Sequence, residues 1–139
     1  MRTAAPQHPG LGERWATFSL MGQLANVGSE VERTIRAHAA GNASRFDNAL
    51  ARALELFDLT AADARWCGPR RHEILRAREE FCRLFFSATP PENSIPGLRR
   101  YFLYAAIAAN RQRAGVIAGE QLDREVGRGG MATTTADTR

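Results

Sequence analysis

The sequence contains no lysine, and all nineteen of its basic residues are arginine. It has only two cysteines, Cys67 and Cys82, which excludes a disulfide framework and favours a reducing compartment. No apolar run approaches the roughly 18 residues of a membrane span. The first fifteen residues also lack the apolar core and cleavage site of a secretory signal. We therefore expect a cytoplasmic protein without a membrane partner.

The sequence also lacks the motifs of several common active sites. There is no phosphate-binding Walker loop, no dinucleotide-binding G-x-G-x-x-G, no G-x-S-x-G elbow and no Glu-x-x-His pair for a di-iron site. Cys67, His72 and Cys82 lack the paired short spacing and the fourth ligand of a zinc site. We expect no metal, no cofactor and no small-molecule substrate.

Apolar residues recur at steps of three and four along most of the chain, the spacing that lines one face of an α-helix. This periodicity predicts four helices, over residues 19–40, 43–59, 69–86 and 97–113, with the last ending at the latest near Ala118. Asn42 suits the cap of the second helix and Pro69 the first position of the third. Gly22 and Gly28, inside the first helix, are interpreted as points of close helix packing.

Four helices with mostly short connections indicate an all-α fold, an antiparallel four-helix bundle. We predict a bundle domain over residues 17–118, preceded by a flexible lead over 1–16 and followed by a largely disordered extension over 119–139. Trp66 lies in a connection and is interpreted as a plug over the end of the bundle.

Positive charge is concentrated in residues 69–118, where nine arginines face four glutamates for a net charge of +5. Arginine binds phosphate in a bidentate manner, so RNA or DNA is a plausible partner. Six arginines of the third and fourth helices are the candidate nucleic-acid contacts: Arg71, Arg78, Arg99, Arg100, Arg111 and Arg113. Tyr101 and Tyr104 are placed to stack on bases if they are exposed. A solvated face with internal ion pairs is the alternative interpretation.

Arg33 and His38 fit the spacing Arg-x4-His, which resembles the active-site motif of the HEPN ribonucleases. In that family the arginine holds phosphate, the histidine acts as a general acid or base, and dimerisation brings two motifs together. Two features depart from the family pattern: the motif lies in the first predicted helix, and Thr34 replaces the polar residue common after the arginine. His38 also falls on the apolar stripe, where a packed histidine is the alternative interpretation.

Four segments resemble those of a group of short bacterial all-helical proteins with no known activity: LANVGSEVERTIR, GNASRFDNALARALELFDLT, EILRAREEFCRLFF and YFLYAAIAANRQR. The resemblance spans Leu20 to Arg113 and implies a helical domain without a site. Our leading hypothesis is a non-enzymatic accessory or scaffold protein that self-associates or docks a partner and binds nucleic acid through the arginine faces. A HEPN-like ribonuclease and a pure protein-interaction module are the alternatives.

Overall fold

The computed structural model describes residues 10–129, and over this range the chain is all-helical, without strands. Five α-helices follow one another, with a 3-10 turn at Ala64–Trp66 between the third and the fourth. They are α1 Leu11–Trp15, α2 Leu20–Ala39, α3 Ala43–Ala62, α4 Pro69–Phe86 and α5 Ser94–Gly129. None of the helices in this range has the length and apolar content needed to cross a membrane.

The starts of α2, α3 and α4 match the predicted ones because local capping chemistry determines them. The Ser19 hydroxyl accepts a hydrogen bond from the Gly22 amide at 3.1 Å, and the Asn42 side chain accepts one from the Arg45 amide at 3.0 Å. Pro69 is the first residue of α4, where no amide hydrogen is needed. Gly41, with a φ of 67°, reverses the chain between α2 and α3.

The two ends of the described chain differ from the predictions. Within the segment predicted to be a flexible lead, Leu11–Trp15 is helical and Trp15 is buried. Helix α5 begins at Ser94, before Pro96. The proline lacks an amide hydrogen, but the first turn of a helix does not need one for its internal hydrogen bonds. The helix then continues to Gly129, well beyond the predicted end. Glu120 and Arg124, one turn apart, support this continuation. The terminal segments 1–9 and 130–139 of the predicted lead and extension lie outside the described residues.

Helix α2 packs against both α3 and α5, and α4 covers the other side of these two helices. Phe57 of α3 is the meeting point: its ring lies 5.7 Å from that of Phe81 on α4 and 6.0 Å from that of Phe102 on α5. Phe57 and Phe81 are fully buried, as the predicted stripes require. Large aromatic side chains of three helices therefore form the centre of the core.

A buried glutamine connects α1, α2 and the α3–α4 connection. The Gln23 amide nitrogen donates to the Trp15 carbonyl oxygen and to the Asp63 carboxylate, both at 3.0 Å, and its oxygen accepts from the Trp66 indole at 2.9 Å. The Trp15 indole in turn donates to the Thr60 hydroxyl at 3.1 Å. Gln23 and Thr60 are fully buried, so each of these bonds replaces a bond to water that burial has removed.

Asp63 closes this network through an ion pair at the surface. The Arg65 guanidinium donates to both carboxylate oxygens of Asp63, at 2.8 and 3.0 Å, and to the Phe18 carbonyl oxygen at 2.9 Å. The hydrogen bonds from Arg65, and after them the one from Gln23, hold the pKa of Asp63 well below its ordinary value despite its burial. The same guanidinium lies 4.5 Å from the centre of the Trp66 ring, and this ring is buried within the core cluster.

Gly28 allows α2 and α5 to approach closely. A Cβ atom at this position would lie 2.7 Å from the Cβ atom and 2.9 Å from the Cγ atom of Phe102. The interpretation of Gly28 as a point of close packing is therefore confirmed. Two contacts on either side keep the helices aligned in opposite directions, Ser19 to Gln112 at 2.9 Å and Glu32 to Arg99 at 3.0 Å.

We expect Gly28→Ala to destabilise the fold by about 1–3 kcal/mol, because Phe102 has to move away from its place in the core. Chemical denaturation measures this change. Gly97→Ala is the matched control, since the space around Gly97 is open, and it should leave stability unchanged or slightly raised. Equal stability of the two variants would contradict the close approach.

We expect the free energy of unfolding to fall as the pH drops below the ordinary Asp63 pKa of about 3.8. A carboxyl whose pKa is lowered by folding stabilises the fold fully above its ordinary pKa and loses that contribution as it becomes protonated. Urea titrations at a series of acid pH values measure the effect. Asp63→Asn should be less stable at neutral pH and should lose stability less steeply with acid. An unchanged acid dependence in Asp63→Asn would contradict the role of this carboxylate.

Candidate functional site

Helices α2 and α3 form the walls of an open groove of about 980 Å³ near the turn that joins them. Three alanines, Ala37, Ala40 and Ala49, form its apolar lining. Four arginines, which define what we call the arginine groove, surround them: Arg33, Arg36, Arg45 and Arg52. Glu30, Asn42 and Asn48 complete the lining, so four positive charges face one negative charge.

The spacing of the residues explains why the arginines converge. Arg45, Asn48 and Arg52 are separated by three and four residues, which places them on one face of α3. Arg33 and Arg36 are related in the same way on α2. Because the positions between the two helices are alanines, the long arginine side chains line an open space instead of a filled interface.

Two of the four arginines have acidic partners, and two have none in the described part of the chain. Arg33 pairs with Glu30 at 2.6 Å and Arg36 with Glu32 at 3.1 Å, and both arginine side chains remain largely exposed. Arg45 is exposed, and its side chain has no acidic partner within residues 10–129. Arg52 is half-buried, and its Nη1 lacks a hydrogen-bond acceptor there. An anion entering the groove therefore meets the exposed guanidinium of Arg45 and the largely exposed, ion-paired guanidinium groups of Arg33 and Arg36.

Three of the six arginines predicted as nucleic-acid contacts are paired or partly covered. Arg78 donates to Asp58 at 3.0 Å, and Arg99 binds Glu32 through two hydrogen bonds of 3.0 and 3.1 Å. The hydrogen bonds from Arg99 and Arg36 lower the pKa of Glu32, which keeps this carboxylate charged. Arg71 is half-buried, with its Nε shielded from solvent.

The other three predicted contacts, Arg100, Arg111 and Arg113, are exposed on α5 but do not share one face. Arg100 and Arg111 lie on the same side of the helix, because eleven residues correspond to about three turns. Arg113 lies about 160° further round than Arg111. The structure therefore does not gather the six predicted arginines into one surface.

Arg33 and His38 are not brought together within the described chain. Arg33 lines the arginine groove, whereas the His38 ring packs 5.0 Å from that of Phe85 and 5.4 Å from that of Phe46. Five residues on a helix differ by about 140° in direction, which accounts for the separation. His38 therefore contacts two aromatic rings, although the residue as a whole is exposed and not buried in the core.

The remaining reactive or aromatic candidates are dispersed. No group of metal-ligating side chains occurs between Gly10 and Gly129. Cys67 is exposed, and burial raises the pKa of Cys82, which keeps this thiol protonated and a poor nucleophile. Burial likewise raises the pKa of Tyr101 to about 12, whereas Tyr104 is exposed and available for a contact.

Summing charge over long segments concealed the arginine groove at the level of sequence. Residues 1–41 and 42–68 have net charges of +1 and −1 and therefore appear unremarkable as partners for an anion. Four arginines of these two segments line the groove together with a single acid, Glu30, and this uneven distribution does not appear in the sums. Counting the charges on each helix face, from residues three, four and seven positions apart, could have revealed this groove from the sequence.

A comparison of this chain with protein-family models, curated proteins and solved structures gives no match.

We expect His38→Ala to lower the free energy of unfolding by about 1 kcal/mol, because two aromatic ring contacts are lost. Arg33→Ala removes only an exposed ion pair and should cost less than about 0.5 kcal/mol. Thermal or urea unfolding of the two variants provides the comparison. A His38→Ala protein as stable as the parent would contradict a packing role for this ring.

Proposed function

We propose that this protein is a non-enzymatic nucleic-acid-binding protein that holds the phosphate backbone of RNA or DNA in the arginine groove. The observation that carries the proposal is the convergence of four arginines from two helices on one open concave face. Guanidinium groups form bidentate, charge-assisted hydrogen bonds with phosphate, which lysine does not. The absence of lysine from the chain agrees with this chemistry.

The composition of the groove favours nucleic acid over an acidic protein segment. Its lining contains arginine, asparagine, alanine and one glutamate, and no aromatic or large aliphatic side chain. Protein interfaces derive most of their affinity from such large side chains in a desolvated centre. Contacts with a phosphate backbone require only positive charge and hydrogen-bond donors, which this groove supplies.

As the scaffold for this activity we propose an antiparallel bundle of the four long helices, with α1 covering one end, in a cytoplasmic protein. The opposed directions of α2 and α5 and the tight α2–α3 turn support this arrangement. The bundle places the arginine groove on a rigid hairpin, so that its guanidinium groups are already positioned before a ligand arrives.

The test is binding of the full-length protein to labelled RNA and duplex DNA over a salt series. We expect Arg36→Ala/Arg45→Ala to weaken binding and to reduce the slope of log affinity against log salt by about 1.4–1.8, the loss of two phosphate contacts. Both side chains are exposed, and Glu32 keeps Arg99 as a partner after Arg36 is removed. The fold should therefore stay intact.

Arg100→Ala/Arg113→Ala is the matched control, because it removes two exposed arginines and the same charge from α5. This variant should retain nearly the parental slope. Equal losses in both variants would mean that only the overall charge matters, and a loss in the α5 variant alone would place binding on the face predicted from the sequence. Cleavage of the RNA that depends on Arg33 and His38 would instead support the ribonuclease alternative.

A further inference from the structure

The second half of α5 extends beyond the rest of the described chain. Every residue from Asn110 to Arg128 is exposed, although the segment remains helical. Leu122 and Val126 are 62% and 70% exposed, one turn apart on one side of this extension. An isolated helix of this length gains little stability in water, so such a segment is typical of one that packs against a partner.

An apolar groove lies on the same side of α5, nearer to the N-terminus of this helix. Its apolar lining includes Leu20, Met21 and Leu24 of α2, Ile74 of α4, and Tyr104 and Ala108 of α5. It offers about 640 Å³ of space. Its rim carries Arg70, Arg111 and Glu73, and is therefore net positive. We call this feature the apolar groove.

The groove and the exposed side chains lie on one continuous stripe. Residues of α5 recur at steps of three and four along it, the seam spacing of paired helices, with the polar Gln112 at the position between Ala108 and Gly115. This α5 stripe consists of Tyr104, Ala108, Gly115, Ala118, Leu122 and Val126. A Cβ atom built at Gly115 meets nothing within 4 Å, so the middle of the stripe is open to a second helix.

Four residues of the α5 stripe are placed symmetrically about Gly115, whereas the position that mirrors Ala118 is Gln112. Tyr104 and Val126 each lie eleven residues from Gly115, and Ala108 and Leu122 each lie seven residues from it. If a second copy of α5 runs in the opposite direction with Gly115 at the two-fold axis, its Leu122 and Val126 come level with Ala108 and Tyr104. Both Tyr104 and Ala108 line the apolar groove, so Leu122 and Val126 of each copy enter the groove of the other.

Charge along α5 is complementary in the same antiparallel arrangement. From Leu98 to Ala118 the helix has four arginines and no acid, whereas residues 119–128 contain three acids and two arginines, for a net charge of −1. Antiparallel pairing places the acidic half of one helix beside the arginine-bearing half of the other. A parallel pair would instead place like charges side by side, which opposes association.

From this placement we propose that the α5 stripe is a homodimer interface, in which two copies of the chain pair their α5 helices antiparallel and exchange Leu122 and Val126 into each other's apolar groove. A symmetric interface is self-complementary by necessity, and the residue spacing about Gly115 meets that requirement. The dimer does not depend on nucleic-acid binding, because the apolar groove and the arginine groove share no lining residue.

Sedimentation equilibrium of the full-length protein tests the interface. We expect a dimer at micromolar concentration, and we expect Leu122→Asp to raise the dissociation constant by at least about 30-fold, the loss typical of a hot-spot residue. Ile117→Asp is the control, because Ile117 is 54% exposed on the same helix but faces about 140° away. Circular dichroism verifies that both variants remain helical.

A wild-type protein that stays monomeric throughout the micromolar range would overturn the proposal. Equal weakening by Leu122→Asp and Ile117→Asp would also overturn it, because the contact would then not lie on the α5 stripe.

Cross-linking tests the antiparallel direction. Chains carrying Tyr104→Cys are mixed with chains carrying Val126→Cys, both in a background with Cys67→Ser and Cys82→Ala, and treated with a short bis-maleimide. We expect cross-linked heterodimers, because the two positions are level in the antiparallel pair. In a parallel pair the two positions are separated by about 33 Å, beyond the reach of the reagent. A dimer that cross-links through Gly115→Cys but not in the mixture would overturn the antiparallel arrangement.

Charge exchange provides a second readout. The variant Asp123→Arg/Glu125→Arg should weaken the dimer, because it places positive charge beside Arg70 and Arg111 on the groove rim. Adding Arg70→Glu/Arg111→Glu in the same chain should restore it. Failure of the combined variant to recover dimerisation would show that these charges do not meet across the interface.

Discussion

The hydrogen bonds of Gln23 are the constraint on which the rest of the fold depends. Its amide is fully buried, yet both its nitrogen and its oxygen have partners, on α1, on the start of the 3-10 turn and on Trp66. Removing the amide would leave the buried Trp66 indole without an acceptor, which costs more than a missing apolar contact. This network fixes one end of the α2–α3 hairpin, while its other end is the tight turn beside the arginine groove.

The parts of the fold that could be predicted are those determined by local chemistry. Ser19, Asn42 and Pro69 mark helix starts through bonds that involve only their nearest neighbours, so the sequence suffices to locate them. The helix at Trp15 could not be predicted, because its burial depends on Thr60, forty-five residues away. The length of α5 also differs from the prediction. Gly115 and Gly119 and the exposed residues around them suggest a helix end, but the helix continues through them to Gly129.

The arginine faces illustrate the same limit. The charge summed over a segment predicts nucleic-acid contacts on α4 and α5. On these helices, however, Arg78 and Arg99 are bound to Asp58 and Glu32. The groove between α2 and α3 depends on which faces of the two helices meet, and the composition of a segment does not contain that information.

The two proposed surfaces lie at opposite ends of α2, which links them physically. The arginine groove is at its C-terminal end, and the projecting part of α5 begins beside Ser19 at its N-terminal end. Pairing of α5 would therefore leave both arginine grooves open at the far ends of the dimer. Two grooves on one particle would bind a single strand with greater avidity than either alone, provided that the strand spans both.

Nitrogen-detected NMR of the arginine side chains during titration with an oligonucleotide tests the central claim most directly, because each guanidinium reports on its own contact. The account predicts that the Nε–H resonances of Arg33, Arg36, Arg45 and Arg52 shift first and together. Shifts at Arg100 and Arg113, with the resonances of the arginine groove unchanged, would contradict it.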